Sequence, residues 1–152
     1  MAAVETLVTF AVGEVDLLAD LRISSTPAMA PVIDTLRLEI VRAAAATGLH
    51  APVAPTSLEL TNTDSVERTT RHLRNLGFRS RTAIHPAQCA SIIDAFSATA
   101  DEIAGARIIL DSLARAGGGA TVGANGRFID AAVIRESKEI LSRATSTRAE
   151  AE

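Results

Sequence analysis

Apolar positions fall into two rhythms along this chain. Leu7-Val8-Thr9-Phe10-Ala11-Val12 is a short β-rich run closed by Gly13, too short for a helix and of the kind that forms a fully buried parallel strand. Ile33, Leu36, Ile40, Val41 and Ala44 then recur at helical spacing up to Gly48, which predicts a helix and its stop. A Pro-interrupted extended piece is predicted within 51–60. Asp64-Ser65-Val66-Glu67 resembles a capping box opening a helix through Val66, Leu73 and Leu76 to Gly77. Thr82-Ala83-Ile84 is predicted as a brief strand, followed by a helix from Pro86 to Phe96. Strand and helix thus alternate three times, which implies parallel strands joined by crossovers.

From Thr99 the rhythm changes. Thr99-Ala100-Asp101-Glu102 is a second capping box, and Ile103, Ala106, Leu110 and Leu113 share a helical face. Gly117-Gly118-Gly119 ends that helix, as a plain stop or as a lid hinge. Two short segments, 120–122 and 127–129, flank Gly123-Ala124-Asn125-Gly126, a good hairpin turn. A last helix is predicted from Asp130 to about Arg143, with the polar tail from Thr145 frayed. The resulting units are 1–97, 98–145 and a tail 146–152.

Composition removes several functions. A net charge of −3 gives no footprint for nucleic acid or an anionic membrane. Four Phe with no Trp or Tyr supply no base-stacking or sugar platform. No run approaches the roughly 20 apolar residues of a membrane span, and no export signal is evident. One cysteine, Cys89, forms no intrachain disulfide, which suits a reducing cytoplasm. It reads as a small core residue on the helix after His85-Pro86 rather than as a reactive thiol.

Candidate chemistry collects where strands end. Glu14 and Asp16 lie two apart after the first strand, so on an extended chain they share a face. Carboxylates there suit Mg²⁺ or are simply solvated acids of a loop. Arg81 precedes the strand-to-helix junction at His85-Pro86, where helix N-terminal amides welcome phosphate or carboxylate. It reads equally as a solvated strand-end cation. His85 reads as a helix cap, and Asp130 as the N-cap of the last helix. The three histidines lack zinc-site spacing, and the glycine triplet lacks the Lys-Ser/Thr of a phosphate loop.

Four segments in order carry a family resemblance. Residues 77–88, GFRSRTAIHPAQ, are similar to the pattern G-F-x-x-[KR]-x-x-I-H-P-x-Q. Residues 12–21 resemble F-G-x-x-D-L-x-x-D-L, residues 96–107 resemble F-x-P-T-x-x-E-[IV]-x-x-A-R, and residues 125–134 resemble D-G-[KR]-M-[IV]-D-x-P-V-[IV]. Together they resemble the citrate lyase β-subunit-like proteins, CoA-ester lyases of the HpcH/HpaI aldolase superfamily. The chain departs from the pattern at Ala54, where many relatives carry Asp, at Phe128 for Met and at Ala132 for Pro.

That resemblance implies an α/β fold: the last three βα units of a (β/α)₈ TIM barrel, then a C-terminal helical lid with a small hairpin. Such barrels take about 250 residues, and this chain of 152 begins just before the segment resembling the sixth strand. The implied reaction is Mg²⁺-dependent, reversible C–C cleavage of a 3-hydroxyacyl-CoA such as citryl-CoA or malyl-CoA. By the same resemblance Asp16 is a metal ligand, and Arg81, Ile84, His85 and Pro86 contact the CoA thioester substrate. Asp130 is the lid's catalytic acid/base. The second metal ligand and the cation for the substrate carboxylate belong to earlier strands. Three barrel strands leave two unpaired edges and exposed apolar surface, so a homo-oligomer, a complex with a complementary half-barrel chain or a poorly stable monomer is expected, in the cytoplasm that the lone cysteine suits. The alternatives are a non-catalytic remnant that keeps CoA-binding elements, a hydrolase of the acyl-CoA thioester and a generic α/β interaction domain.

Overall fold

The computed structural model describes residues 7–115, 121–122 and 128–149. It divides into two compact units, Met1–Phe96 and Ser97–Glu152, and among the described residues no helix is long and apolar enough to cross a membrane.

The first unit is built on three extended segments in parallel. Residues 8–11 run beside 50–53: His50 N donates to Val8 O, Val53 N donates to Phe10 O (both 2.9 Å), and Ala11 bridges Val53. Strand β1 (Val53–Ala54) pairs with β2 (Ser80–Arg81), Val53 beside Ser80 and Ala54 beside Arg81. Between them run helices α1 (Glu14–Asp20), α2 (Ala30–Ala46) and α3 (Thr63–Leu76), and a 3₁₀ turn at Pro86–Gln88 leads into α4 (Cys89–Phe96). The helices follow the predicted stripes, except that Cys89, expected in the core, is exposed at the start of α4, whose buried residues are Ile92 and Ala95. Ile33 and Ala44 of α2 and Val66, Thr70 and Leu73 of α3 are buried. Ala54, Leu73 and Phe78 form the core, with Ile40, Val41, Leu76 and Phe96 packed on it.

The strands differ from expectation. Leu7 and Val8 are 51% and 54% exposed, because the described residues supply a neighbour to this segment along one side only. The strand expected at Thr82–Ile84 lies two residues earlier. Ile84 N donates to Gln88 Oε1 (2.9 Å), so a side chain takes the amide that a ladder would use. The cap of α3 also lies upstream of the Asp64 box: Asn62 Oδ1 accepts from Ser65 N (3.1 Å).

In the second unit, Thr99 and Glu102 form the expected reciprocal box (3.2 and 2.8 Å) at the start of α5 (Ala100–Arg115). β3 (Thr121–Val122) pairs antiparallel with β4 (Phe128–Ile129). Helix α6 (Ala131–Ala149) packs against α5 and runs past the end expected near Arg143. The Gly117–Gly119 stop and the Gly123–Gly126 turn lie outside the described residues.

Candidate functional site

A charged residue on the apolar stripe of α2 organises the first unit. Arg37 follows Ile33 by one turn, and it grips both carboxylate oxygens of Glu14, Nε to Oε2 at 2.6 Å and Nη2 to Oε1 at 2.7 Å. Its Nη1 donates to Asp34 Oδ1 (2.9 Å), and Asp34 Oδ2 lies 2.8 Å from His72 Nε2. This chain of contacts ties α1, α2 and α3 together. Burial opposes the charge on Arg37, yet the bonds and charges of Glu14 and Asp34 hold its pKa above the ordinary value.

Arg81, at the end of β2, is held by neutral acceptors. Its Nε donates to Pro55 O (2.8 Å), and its Nη1 donates to Thr69 Oγ1 (2.9 Å), Thr70 Oγ1 (2.7 Å) and Val66 O (3.4 Å). Burial and the nearby charge of Arg37 push its pKa below the usual value. Arg81 and Arg37 line a cleft of about 480 Å³, together with Val15, Leu18, Ile23, Leu58, Ser65 and Thr69.

Behind this cleft, Gln88 is a fully buried staple. Its Nε2 donates to Ser57 O (3.1 Å) and Glu59 O (2.8 Å), while Oε1 accepts from Ile84 N and His85 N. One amide thus fixes the loop after β1 to the turn after β2. His85 caps the 3₁₀ turn, its Nδ1 accepting from Ala87 N (3.2 Å). Ile84 and Pro86 are exposed beside it. None of Ile84, His85 and Pro86 lines the cleft.

The acids separate. Glu14 and Asp16 sit in the first turn of a helix, where two residues are about 200° apart around the axis, so the shared face expected of an extended chain is lost. Asp16 is exposed, with Oδ2 lying against Gly13: a Cβ built there would be 2.8 Å from it. Magnesium wants near-octahedral oxygen ligation. Glu14 is committed to Arg37, and no group of three metal-ligating side chains exists among the described residues. Asp16 supplies a single ligand, so these residues alone do not build the ion's site.

Asp130 belongs to the second unit. Its Oδ1 accepts from Ala132 N and Val133 N (both 2.9 Å), capping α6.

Three parallel segments whose following loops and helices enclose a charged cleft define an α/β protein of the kind that binds ligands at strand ends. Comparison with known proteins narrows the class. No family model matches the chain. It is 29% identical over 145 residues to the citrate lyase β subunit of Escherichia coli K12, covering 93% of this chain and 47% of that protein. The Haemophilus influenzae citrate lyase β subunit is 27% identical over 146 residues, covering 95% and 50%. Among solved structures, CitE from Mycobacterium tuberculosis, in complex with magnesium, acetoacetate and coenzyme A, superposes with a TM-score of 0.73 at 26% identity, covering 90% of this chain and 51% of that one. A Burkholderia xenovorans citrate lyase gives 0.75 at 27%, covering 95% and 48%. The chain spans about half the length of the curated relatives it matches. Over at least nine-tenths of its length the chain is thus similar to citrate lyase β subunits and to solved citrate lyase structures, in line with the resemblance carried by the four motifs.

Proposed function

We propose that the chain is part of a CoA-ester lyase that reversibly cleaves a C–C bond in a 3-hydroxyacyl-CoA such as citryl-CoA or malyl-CoA. The observation carrying this is the likeness over nine-tenths of the chain to a protein solved with magnesium, acetoacetate and coenzyme A, joined to the ordered motifs in the sequence. CoA is assigned to the exposed turn Ile84-His85-Pro86, with Arg81 beside it as the anion-binding group. In the cleavage direction a base removes the hydroxyl proton and the Cα–Cβ bond breaks. The β-carbon becomes a carbonyl, a ketone from citryl-CoA or an aldehyde from malyl-CoA, and the thioester enolate takes a proton from Asp130 at Cα. The reading places Asp16 among the magnesium ligands, and the remaining ligands come from barrel elements outside these residues, on a second copy or a complementary chain. Exposed Leu7, Val8 and Ile84 support such an association, in the cytoplasm.

The single metal-ligating carboxylate favours a second reading, a remnant that binds CoA without turnover. Incubation with malyl-CoA or citryl-CoA and Mg²⁺ separates the readings. Release of acetyl-CoA is the result expected of a lyase. Free thiol without acetyl-CoA would mark a thioester hydrolase, and unchanged substrate the remnant.

A further inference from the structure

Arg81 carries a half-buried positive charge with no carboxylate paired to it among the described residues. All four of its hydrogen bonds go to neutral oxygens, and its Nη2 has no acceptor among the described residues. The neighbouring position on the parallel strand is Ala54, a buried methyl group. Arg37 adds like charge nearby, and the Glu14 carboxylate that faces both arginines is taken up by Arg37. Glu59, the other acid lining the cleft, is exposed and forms no ion pair among the described residues. A partly desolvated, rigidly held guanidinium without a counter-ion is poised for an external anion. The cleft lining around it includes the apolar Leu18, Ile23 and Leu58 as well as the hydroxyl-bearing Ser65 and Thr69.

We infer that this cleft binds a small carboxylic acid with an apolar chain, its carboxylate on Arg81 and its chain against Leu18, Ile23 and Leu58. The inference shares Arg81 with the lyase reading, which gives that residue to CoA, and goes beyond it by assigning the cleft to a free acid rather than to CoA on the 84–86 turn.

Calorimetric titration with acetate, hexanoate and inorganic phosphate tests it. Hexanoate should bind about tenfold more tightly than acetate, as its four additional methylenes become partly buried, and phosphate should bind no better than acetate. Leu58→Glu changes a side chain that is 72% exposed and should erase the preference for hexanoate without unfolding the protein. Arg81→Gln, which removes the charge while keeping hydrogen-bond donors, should abolish binding of all three. Arg71→Ala, on an exposed ion pair of α3 with Glu67, should change nothing. Equal binding of the three anions would overturn the inference, as would hexanoate binding unaffected by Leu58→Glu or absent altogether. Acetyl-CoA binding without hexanoate binding would remove this inference and leave the lyase reading standing. The reverse result would do the opposite.

Discussion

Gly77 closes α3 at φ 111°, and a Cβ there would meet Val41 Cγ1 at 2.8 Å. Gly77→Ala therefore combines left-handed backbone cost with a clash against the core, and urea unfolding should show a loss of about 2 kcal/mol or more. Gln88 poses a different problem, since its removal leaves two carbonyls and two amides without their partner. Gln88→Ala should cost about 2–3 kcal/mol, and hydrogen exchange should quicken at Ile84 and His85 while α6 stays protected. Asp130 has two roles that one substitution separates. Asn caps a helix as well as Asp, so Asp130→Asn should hold stability within about 0.5 kcal/mol. If Asp130 delivers the enolate proton, acetyl-CoA release should fall about 100-fold. Equal loss of stability and turnover would leave only the cap. Local chemistry made the caps at Thr99, Asp130 and His85 legible in the sequence, because each is satisfied within three residues. The bidentate pairing of Arg37 with Glu14 and the bonds from Gln88 to the Ser57 and Glu59 carbonyls were not, since these partners lie 23, 31 and 29 positions away. A signal for Arg37 existed: it occupies the stripe Ile33, Arg37, Ile40, Ala44, and a charge on a buried stripe calls for a buried partner.

At the scale of elements, the helices followed their periodicity and the strands did not. A helix satisfies its amides within itself, so its pattern is local. A two-residue strand is defined by what lies beside it, which explains why β2 begins at Ser80 and why 82–84 bends away to Gln88. The helix α1 was missed for a related reason. Its acids read as a strand-end pair, but Gly13 opens a helix that Arg37 then anchors through Glu14. Removing that anchor should matter. Arg37→Ala leaves two carboxylates without their donor and should destabilise the first unit by about 2–3 kcal/mol. The double replacement Arg37→Met with Glu14→Leu should recover part of that loss. Equal stability of Arg37→Ala and wild type in denaturant would show that α1 is held by its apolar contacts alone.

At the scale of the molecule, the alternation of three parallel segments and a later helix–hairpin–helix was readable from rhythm alone. The exposed Leu7, Val8 and Ile84 argue for association, and light scattering behind size exclusion should report a species larger than one chain of 152 residues. A monodisperse, highly stable monomer would count against it. The central claim is that the chain carries a CoA-binding part of a citrate lyase β-like enzyme. It is tested most directly by calorimetric titration of the purified chain with acetyl-CoA, with and without Mg²⁺. The account predicts saturable binding that tightens with Mg²⁺ and loses that dependence in Asp16→Ala. Absence of binding under both conditions would contradict it.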